Sequence, residues 1–120
     1  MKVLLVDDHP MVRMGIRAGL ESTFQESVEI VEAGSVHEAI SALNEGFFDI
    51  AVLDLRLGEG SGLDIARYVT ENDLTVRCVV FTSVKSPRSL IAAFESGSVA
   101  AYLEKDSDLE PLAEAIEAAA

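Results

Sequence analysis

Short apolar runs alternate with longer amphipathic segments along this chain, and the alternation predicts repeated strand–helix units. Val3–Val6 and Ile50–Leu53 are apolar at every position, which is typical of strands buried on both faces of a parallel sheet. Val28–Val31 alternates instead and indicates a strand nearer an edge. Between such runs, apolar residues recur at helical spacing, as at Ile16 and Leu20. The pattern therefore predicts five βα units and an α/β fold.

Proline, glycine and capping residues mark the boundaries of these units. Ser35 with Glu38 three positions later has the form of a capping box, and Ser86 precedes a proline suited to the first turn of a helix. We predict strands at Val3–Val6, Val28–Val31, Ile50–Leu53, Val76–Phe81 and Ala100–Leu103, and helices that begin at Pro10, after Ser35, near Leu63, after Ser86 and at Asp108. No linker or repeat interrupts the pattern, so residues 1–120 are expected to form one domain. The last helical pattern reaches Ala120 without a stop signal, and we expect the natural protein to continue.

Residues suited to handling phosphate follow the predicted strands. Asp7 and Asp8 come after the first strand, Asp54 after the third, Thr82 after the fourth and Lys105 after the fifth. Because the carboxyl ends of parallel strands meet at one edge, we expect these side chains to share a pocket. Carboxylate oxygens are ligands for Mg²⁺, and three carboxylates brought together repel unless a cation neutralises them. An ammonium group and a hydroxyl can bind the oxygens of a phosphoryl group.

Ordinary structural roles explain each of these residues when it is taken singly. Aspartate often ends strands and caps helices, so Asp8 is also a candidate cap for the helix that begins at Pro10. Lys105 could be a solvated lysine, and Thr82 could cap a helix. His9 lies beside the acidic pair, but Mg²⁺ prefers oxygen ligands, and we expect His9 to belong to the start of the helix.

Composition narrows the possible functions. The formal net charge is −12 and the pI is near 4.4, so the chain is not expected to bind DNA by itself, since phosphate contacts need clustered basic residues. The single cysteine, Cys78, lies in a predicted strand and reads as a core residue. No apolar run is long enough to cross a membrane and no signal peptide is visible, so a cytoplasmic location is expected.

The residues at the strand ends resemble those of a known family. Asp7-Asp8, Asp54, Thr82 and Lys105, with Gly62 eight positions after Asp54, are similar to the receiver domain of bacterial two-component response regulators. The stretches that resemble the NarL/FixJ (LuxR-type) subfamily are Asp7-Asp8-His9-Pro10, Asp54-Leu55-Arg56-Leu57, Thr82-Ser83 and Tyr102-Leu103-Glu104-Lys105-Asp106. The resemblance covers essentially the whole chain. It implies a flavodoxin-like, CheY-like doubly wound (βα)5 fold with the strand order 2-1-3-4-5.

The resemblance also implies a chemistry. Asp54 would be the phospho-acceptor and would take a phosphoryl group from a phosphohistidine of a sensor histidine kinase. Asp8, Asp54 and the backbone carbonyl of Arg56 would ligate Mg²⁺, and Asp7 would act on the metal through water. Such a domain is a phospho-acceptor with one reversible modification and is not a turnover enzyme.

A switch follows from the same resemblance. Lys105 and the Thr82 hydroxyl would bind phosphoryl oxygens, and Tyr102 would be the switch aromatic that turns inward as Thr82 moves. The surface over about residues 86–118 would change and promote a homodimer. Members of the subfamily usually carry a C-terminal helix-turn-helix domain, so DNA would be bound only through a domain that this chain lacks.

Two positions depart from the pattern of many receivers. Gly58 stands where proline is common, four residues after the acceptor aspartate, and predicts a more flexible loop. Asp106 stands after Lys105 where many receivers have a cis proline, and we expect a trans bond there because a cis bond before a non-proline residue costs about 2.5–4 kcal/mol.

Two other classes of function stay open. A phosphatase of the haloacid-dehalogenase type also uses an aspartate at a strand end, but it needs a second aspartate two residues later, where this chain has Arg56. A receiver-like interaction module that works without phosphorylation is the other alternative, and the complete set of strand-end residues argues against it.

Overall fold

A computed structural model describes residues 1–105 and 108–120. The strands are β1 (Lys2–Val6), β2 (Glu29–Ala33), β3 (Ile50–Leu53), β4 (Arg77–Thr82) and β5 (Val99–Glu104). The helices are α1 (Pro10–Phe24), α2 (Val36–Glu45), α3 (Gly62–Glu71), α4 (Pro87–Glu95) and α5 (Glu110–Ala119). The strand and helix pattern predicted from the sequence is confirmed. The bond between Lys105 and Asp106, predicted to be trans, lies outside the described residues.

The strands form one parallel sheet in the order β2-β1-β3-β4-β5, as the resemblance implies. The alternating strand β2 lies at an edge, which confirms that prediction. Helices α1 and α5 cover one face of the sheet, and α2, α3 and α4 cover the other. Within the described residues, no helix is long and apolar enough to span a bilayer. Because helices cover both faces, the sheet is buried, and the carboxyl ends of its strands lie among the loops that follow them.

Both faces of the central strands are packed, which is why those strands are apolar at every position. Val3 and Leu5 face the α1 and α5 layer, whereas Leu4 and Val6 face α2 and α3. All four are at most 1% exposed. Cys78 is fully buried in the same core, and burial raises the pKa of its thiol to about 11, so it is a core residue as predicted.

Some helix starts differ in detail from the predictions. The Ser35 hydroxyl caps α2 by accepting from the Glu38 amide, but the Glu38 carboxylate accepts from the Gly34 amide, so the capping box is half formed. A complete box at Ser61 and Asp64 begins α3 and was not predicted. Helix α5 begins at Glu110, not at Asp108, and its proline lies in the first turn as expected.

A register shift in β5 decides which residue meets Thr82. Cys78 pairs with Val99 and Val79 pairs with Ala101, so Ala100 is an extra, exposed residue in β5. Because of this bulge Thr82 lies opposite Glu104. A slip of one residue would exchange the two faces of the strand and move the residue that follows it. The bulge therefore fixes the position of Lys105.

The loop between β3 and α3 follows a defined path. Leu57 and Gly60 exchange two backbone hydrogen bonds of 3.1 Å and close a tight turn. Gly58 has a φ of +63° in that turn, which proline cannot adopt because its ring holds φ near −65°. The turn explains why glycine replaces proline here. The predicted flexibility of the loop stays a prediction.

Gly62 allows the backbone after β3 to approach helix α3. A Cβ atom at this position would lie 2.3 Å from the carbonyl oxygen of Asp54. That distance is far below a van der Waals contact, so any larger residue would displace either the helix or the Asp54 loop. This explains the glycine eight positions after Asp54.

We predict that Gly62→Ala lowers the free energy of unfolding by about 1–3 kcal/mol, because the added methyl overpacks against backbone. The matched control is Gly15→Ala within α1, where a Cβ would meet no atom within 4 Å. That change should stabilise by about 0.5–1 kcal/mol, since alanine favours a helix interior. Urea unfolding measures both effects, and equal stability of the two variants would contradict the account.

Candidate functional site

Three site residues are held by continuations of the sheet's hydrogen bonding. The Asp7 amide donates to the Ala33 carbonyl at 3.2 Å, and the Asp54 amide donates to the Val6 carbonyl at 3.1 Å. The Lys105 amide donates to the Thr82 carbonyl at 2.8 Å. Each site residue therefore lies one position past its strand and is still fixed by the neighbouring strand. The sheet itself brings the side chains to one edge.

Lys105 joins two buried aspartates. Its Nζ donates to Asp54 Oδ2 at 2.8 Å and to Asp7 Oδ2. The side chains of Asp7, Asp54 and Lys105 are 1%, 5% and 15% exposed, so these charges are largely removed from water. Burial alone would lower the pKa of Lys105, but its hydrogen bonds to Asp54 and Asp7 and their charges outweigh burial, and the pKa lies above its ordinary value. The lysine is thus a charged partner of the cluster.

The other carboxylate oxygen of Asp54 is also bound. Oδ1 accepts from the Thr82 hydroxyl at 2.9 Å and from the Arg56 amide at 3.2 Å. Thr82 is fully buried, and its hydroxyl in turn accepts from the Val84 amide at 3.2 Å. The Arg56 residue is exposed, and its carbonyl stays a predicted metal ligand. Asp54 is therefore oriented by a hydroxyl, an amide and an ammonium group.

Asp8 differs from the other two aspartates because its Oδ1 atom has no hydrogen-bond partner among the described residues. This atom is buried, and it accepts no hydrogen bond from any residue of the described chain. His9 Nδ1 lies 2.9 Å away, but the geometry is not that of a hydrogen bond. A buried carboxylate oxygen without a donor is costly unless a cation or water satisfies it. The orphaned atom fits a metal ligand.

The start of α1 excludes the alternative role of Asp8 as a helix cap. Asp8 does not cap the helix: the N-cap residue is His9, and no side chain makes a capping bond there. Instead Asp7 Oδ1 accepts from the His9 amide at 2.8 Å. His9 therefore occupies the helix start as predicted, while its imidazole lies against the acidic pair, 3.4 Å from Asp7 Oδ1.

The charge of the cluster favours the binding of a cation. Single ligand atoms from Asp7, Asp8, His9 and Asp54 lie within 4.8 Å of one another. Three carboxylates face one ammonium group, so the cluster carries excess negative charge. Carboxylate oxygens of this kind suit a hard divalent ion such as Mg²⁺. The pocket is compatible with metal binding.

Tyr102 lies outside this pocket but is connected to it. Its ring packs against Leu55, Val80 and Ala93, and its hydroxyl donates to the Val84 carbonyl at 3.2 Å. Burial raises the pKa of this hydroxyl above its usual value, and the nearby Glu104 adds to the effect, so the hydroxyl keeps its proton for this bond.

Some contributing residues escaped prediction from the sequence. Arg13 on α1 donates to the Asp7 carbonyl, and the ring of Phe81 lies 5.9 Å from Lys105 Nζ. Val84 links Thr82 to Tyr102 through its backbone, which no side-chain pattern can indicate. An arginine on an amphipathic helix has the same signal as any solvated residue, so its spacing gives no hint of a loop contact.

Comparisons with known proteins agree with this geometry. The family model of the response regulator receiver domain matches residues 3–117. The nitrate/nitrite response regulator protein NarP of Escherichia coli (strain K12) is 36% identical over 119 residues, which are 99% of this chain and 54% of NarP. The DNA-binding transcriptional activator DevR/DosR of Mycobacterium tuberculosis is 36% identical over 115 residues, 96% of this chain and 52% of that protein.

A solved structure gives the same result. The two-component response regulator of the LuxR family from Aurantimonas sp. SI85-9A1 has a TM-score of 0.88 and 36% identity, over 98% of this chain and 82% of that one. The chain spans about half the length of the two curated relatives that it matches. Matches over nearly the whole chain, on a fold and a pocket of this kind, show that the chain belongs to the response regulator receiver domain family and is a NarL/FixJ-type receiver domain of a two-component response regulator.

Proposed function

We propose that Asp54 is the phospho-acceptor of this receiver domain. The observation that carries the proposal is the environment of its carboxylate: Asp54 lies at the end of a central strand, with Thr82 on one oxygen and Lys105 on the other. Two further aspartates lie beside it. A carboxylate held between a hydroxyl and an ammonium group suits the formation of an acyl phosphate, because both groups can then bind the oxygens of the added phosphoryl group.

The proposed donor is a phosphohistidine of a sensor histidine kinase. An Asp54 oxygen attacks the phosphorus, the P–N bond breaks, and the imidazole keeps the bonding electrons and takes up a proton. Asp8, Asp54 and the Arg56 carbonyl would hold Mg²⁺ directly, and Asp7 would act through water. The ion supplies positive charge for the phosphoryl oxygens. The chain's own contribution is to orient Asp54 and to neutralise charge, so the domain takes one modification and does not turn over substrate.

Thr82 and Lys105 would convert the modification into a conformational change. Both groups bind Asp54 oxygens now, and a phosphoryl group would offer them stronger acceptors with about −1.5 to −2 charge. Thr82 is joined to Val84, and Val84 to Tyr102, by successive hydrogen bonds. A shift of Thr82 would therefore act on Tyr102 through one intervening residue. This supports Tyr102 as the switch aromatic.

The proposed output is a change of the surface formed by α4, β5 and α5. Helix α4 exposes Leu90, Ile91 and Phe94, which are 41%, 55% and 48% exposed. An apolar face of this kind suits a second copy of the chain, and we propose a homodimer that forms on phosphorylation.

Transcription is the proposed final output. A C-terminal helix-turn-helix domain would supply the DNA contacts, which is consistent with the name of the DevR/DosR relative and with its greater length. The proposed location is the cytoplasm.

Phosphorylation of Asp54 can be tested directly. Incubation with acetyl phosphate and Mg²⁺ should add the mass of one phosphoryl group, and Asp54→Asn should abolish the gain. Asp49→Asn is the matched control, because Asp49 lies at the amino ends of the strands, away from the pocket, and the one hydrogen bond of its side chain to the described residues is accepted from the Lys2 amide. Intact-protein mass spectrometry measures all three proteins. No gain in the wild-type chain would favour an interaction module that works without phosphorylation.

The charge of Lys105 is expected to stabilise the fold. Lys105→Met should lower the free energy of unfolding by about 3–5 kcal/mol at neutral pH, because it leaves two buried carboxylates without their cation. Lys85→Met is the control, since the Lys85 side chain is 67% exposed and its ion pair within the described part of the chain is a surface pair with Glu104.

The pH dependence of that effect has a definite sign. The folded pKa of Lys105 is raised, so its contribution is fully present below the ordinary value of 10.5 and is lost as the pH rises through the folded pKa. The stability difference between wild type and Lys105→Met should therefore persist from neutral pH to about pH 10 and shrink above it. Urea unfolding at several pH values tests this, and a difference that grows above pH 10.5 would contradict it.

The proposed homodimer is expected to form when a phosphoryl mimic is bound. Beryllofluoride with Mg²⁺, as a phosphoryl mimic, should shift the gel-filtration volume to that of a dimer, and Phe94→Asp should prevent the shift. Phe47→Asp is the control, because Phe47 is 89% exposed but lies at the amino edge of the sheet. An unchanged elution volume of the wild-type chain would count against dimerisation of the isolated domain.

A further inference from the structure

Arg13 on α1 reaches the loop that carries the acidic pair. Its Nη1 donates to the backbone carbonyl of Asp7 at 2.6 Å, and its Nε donates to Glu32 Oε1 on β2 at 2.8 Å. The side chain is only 20% exposed, and that of Glu32 is 29% exposed. Hydrogen bonds from Arg17 and Arg13 hold the pKa of Glu32 below its usual range, so the carboxylate is a charged anchor for both arginines. Arg13 therefore ties the loop after β1 to the edge strand.

The Asp7 carbonyl belongs to the peptide unit that precedes Asp8. A peptide unit is planar, so a bond to its oxygen also fixes the direction of the Asp8 amide and the position of the Asp8 Cα. The Asp7 amide, on the other side of the same residue, is held by Ala33. The backbone at the acidic pair is thus fixed from β2 and from α1 together.

The Asp8 side chain depends on this backbone more than its neighbours do. Asp7 and Asp54 are held by Lys105, whereas Asp8 Oδ1 accepts no hydrogen bond from the described residues. The close polar neighbour of Asp8 Oδ1 is His9 Nδ1 at 2.9 Å, which belongs to the next residue of the same backbone and makes no hydrogen bond to it. The placement of the Asp8 carboxylate therefore depends on this stretch of backbone, and Arg13 binds the peptide that precedes Asp8.

We propose that Arg13 is a positioning residue for the cation site: by binding the Asp7 carbonyl, it aims the Asp8 carboxylate at the metal. The proposal rests on the proposed function, which assigns Asp8 to Mg²⁺. Residues that orient metal ligands through hydrogen bonds commonly change metal affinity by about 10–100-fold when they are replaced.

Arg17 is a matched control within the same ion-pair group. Its Nη1 donates to Glu32 Oε2 at 2.7 Å, so Arg17 shares the anchor of Arg13 but has no bond to the Asp7 carbonyl. Arg13→Gln and Arg17→Gln each remove one guanidinium from Glu32. Only Arg13→Gln frees the peptide before Asp8.

Gly34 provides a second, independent perturbation. A Cβ at this position would lie 3.0 Å from Arg13 Nη1 and 3.2 Å from Glu38 Oε1. Gly34→Ala therefore crowds the guanidinium while Arg13 is still present. In the Arg13→Gln background the same methyl group has no guanidinium to displace.

The test is the dissociation constant for Mg²⁺ alone, followed by NMR of the backbone amides near Asp8 and Asp54, together with the free energy of unfolding of each variant. Arg13→Gln should weaken Mg²⁺ binding by about tenfold or more, and Arg17→Gln by less than about twofold, although both lose a bond to Glu32. Gly34→Ala should weaken binding in the wild-type background and have little further effect on Arg13→Gln.

Equal Mg²⁺ affinities for Arg13→Gln and Arg17→Gln would overturn the positioning role. An effect of Gly34→Ala that is the same in both backgrounds would also overturn it. If Arg13→Gln folds poorly, Gly34→Ala is measured in the wild-type background alone, and an unchanged Mg²⁺ affinity there would overturn the positioning role. Failure of the wild-type chain to bind Mg²⁺ would overturn the proposed function as well. Tight binding by wild type with no loss in Arg13→Gln would overturn the positioning role alone.

Discussion

Repulsion among three carboxylates at one edge of the sheet is the constraint on which the rest of the site depends. Asp7, Asp8 and Asp54 converge there because parallel strands end together, and most of this charge is out of water. One ammonium group, from Lys105, binds two of the three. Burial of unpaired charge is unfavourable, so the fold must deliver Lys105 accurately. It does so through the bulge at Ala100 and the bond from the Lys105 amide to the Thr82 carbonyl.

Under the proposed function, the same charge imbalance would make the site respond to a bound cation or to an added phosphoryl group. Lys105 and Thr82 bind Asp54 in the unmodified domain, so they stand within reach of any group added to that carboxylate. A cation would remove repulsion among the aspartates, and an added phosphoryl group would compete for the lysine and the hydroxyl. Because Thr82 is linked to Tyr102 through Val84, this competition would reach β5 through one intervening residue. These contacts support the proposal of a reversible switch.

Local patterns in the sequence predicted the order of the elements and the residues at the strand ends, because both follow from periodicity and from the geometry of parallel sheets. They could not show contacts between elements. The bulge at Ala100 has no signature in a run of small apolar residues, and Arg13 looks like any solvated arginine until the fold brings it to Asp7. The cap of α1 was predicted as a possible role of Asp8 for a similar reason: an aspartate before a helix often caps it, and the contact that Asp7 makes with the His9 amide instead is not visible in the local pattern.

Thermal unfolding of the wild-type chain and of Asp8→Asn, with and without Mg²⁺ at constant ionic strength, tests directly whether a cation completes the carboxylate cluster. A ligand that binds only the folded state raises the unfolding midpoint in proportion to the logarithm of its concentration above the dissociation constant. The account predicts that Mg²⁺ raises the midpoint of the wild-type chain. It also predicts that Asp8→Asn is more stable than wild type without the ion and gains little from it. An unchanged wild-type midpoint, or an equal gain in both proteins, would contradict the claim that the carboxylate cluster is completed by a cation.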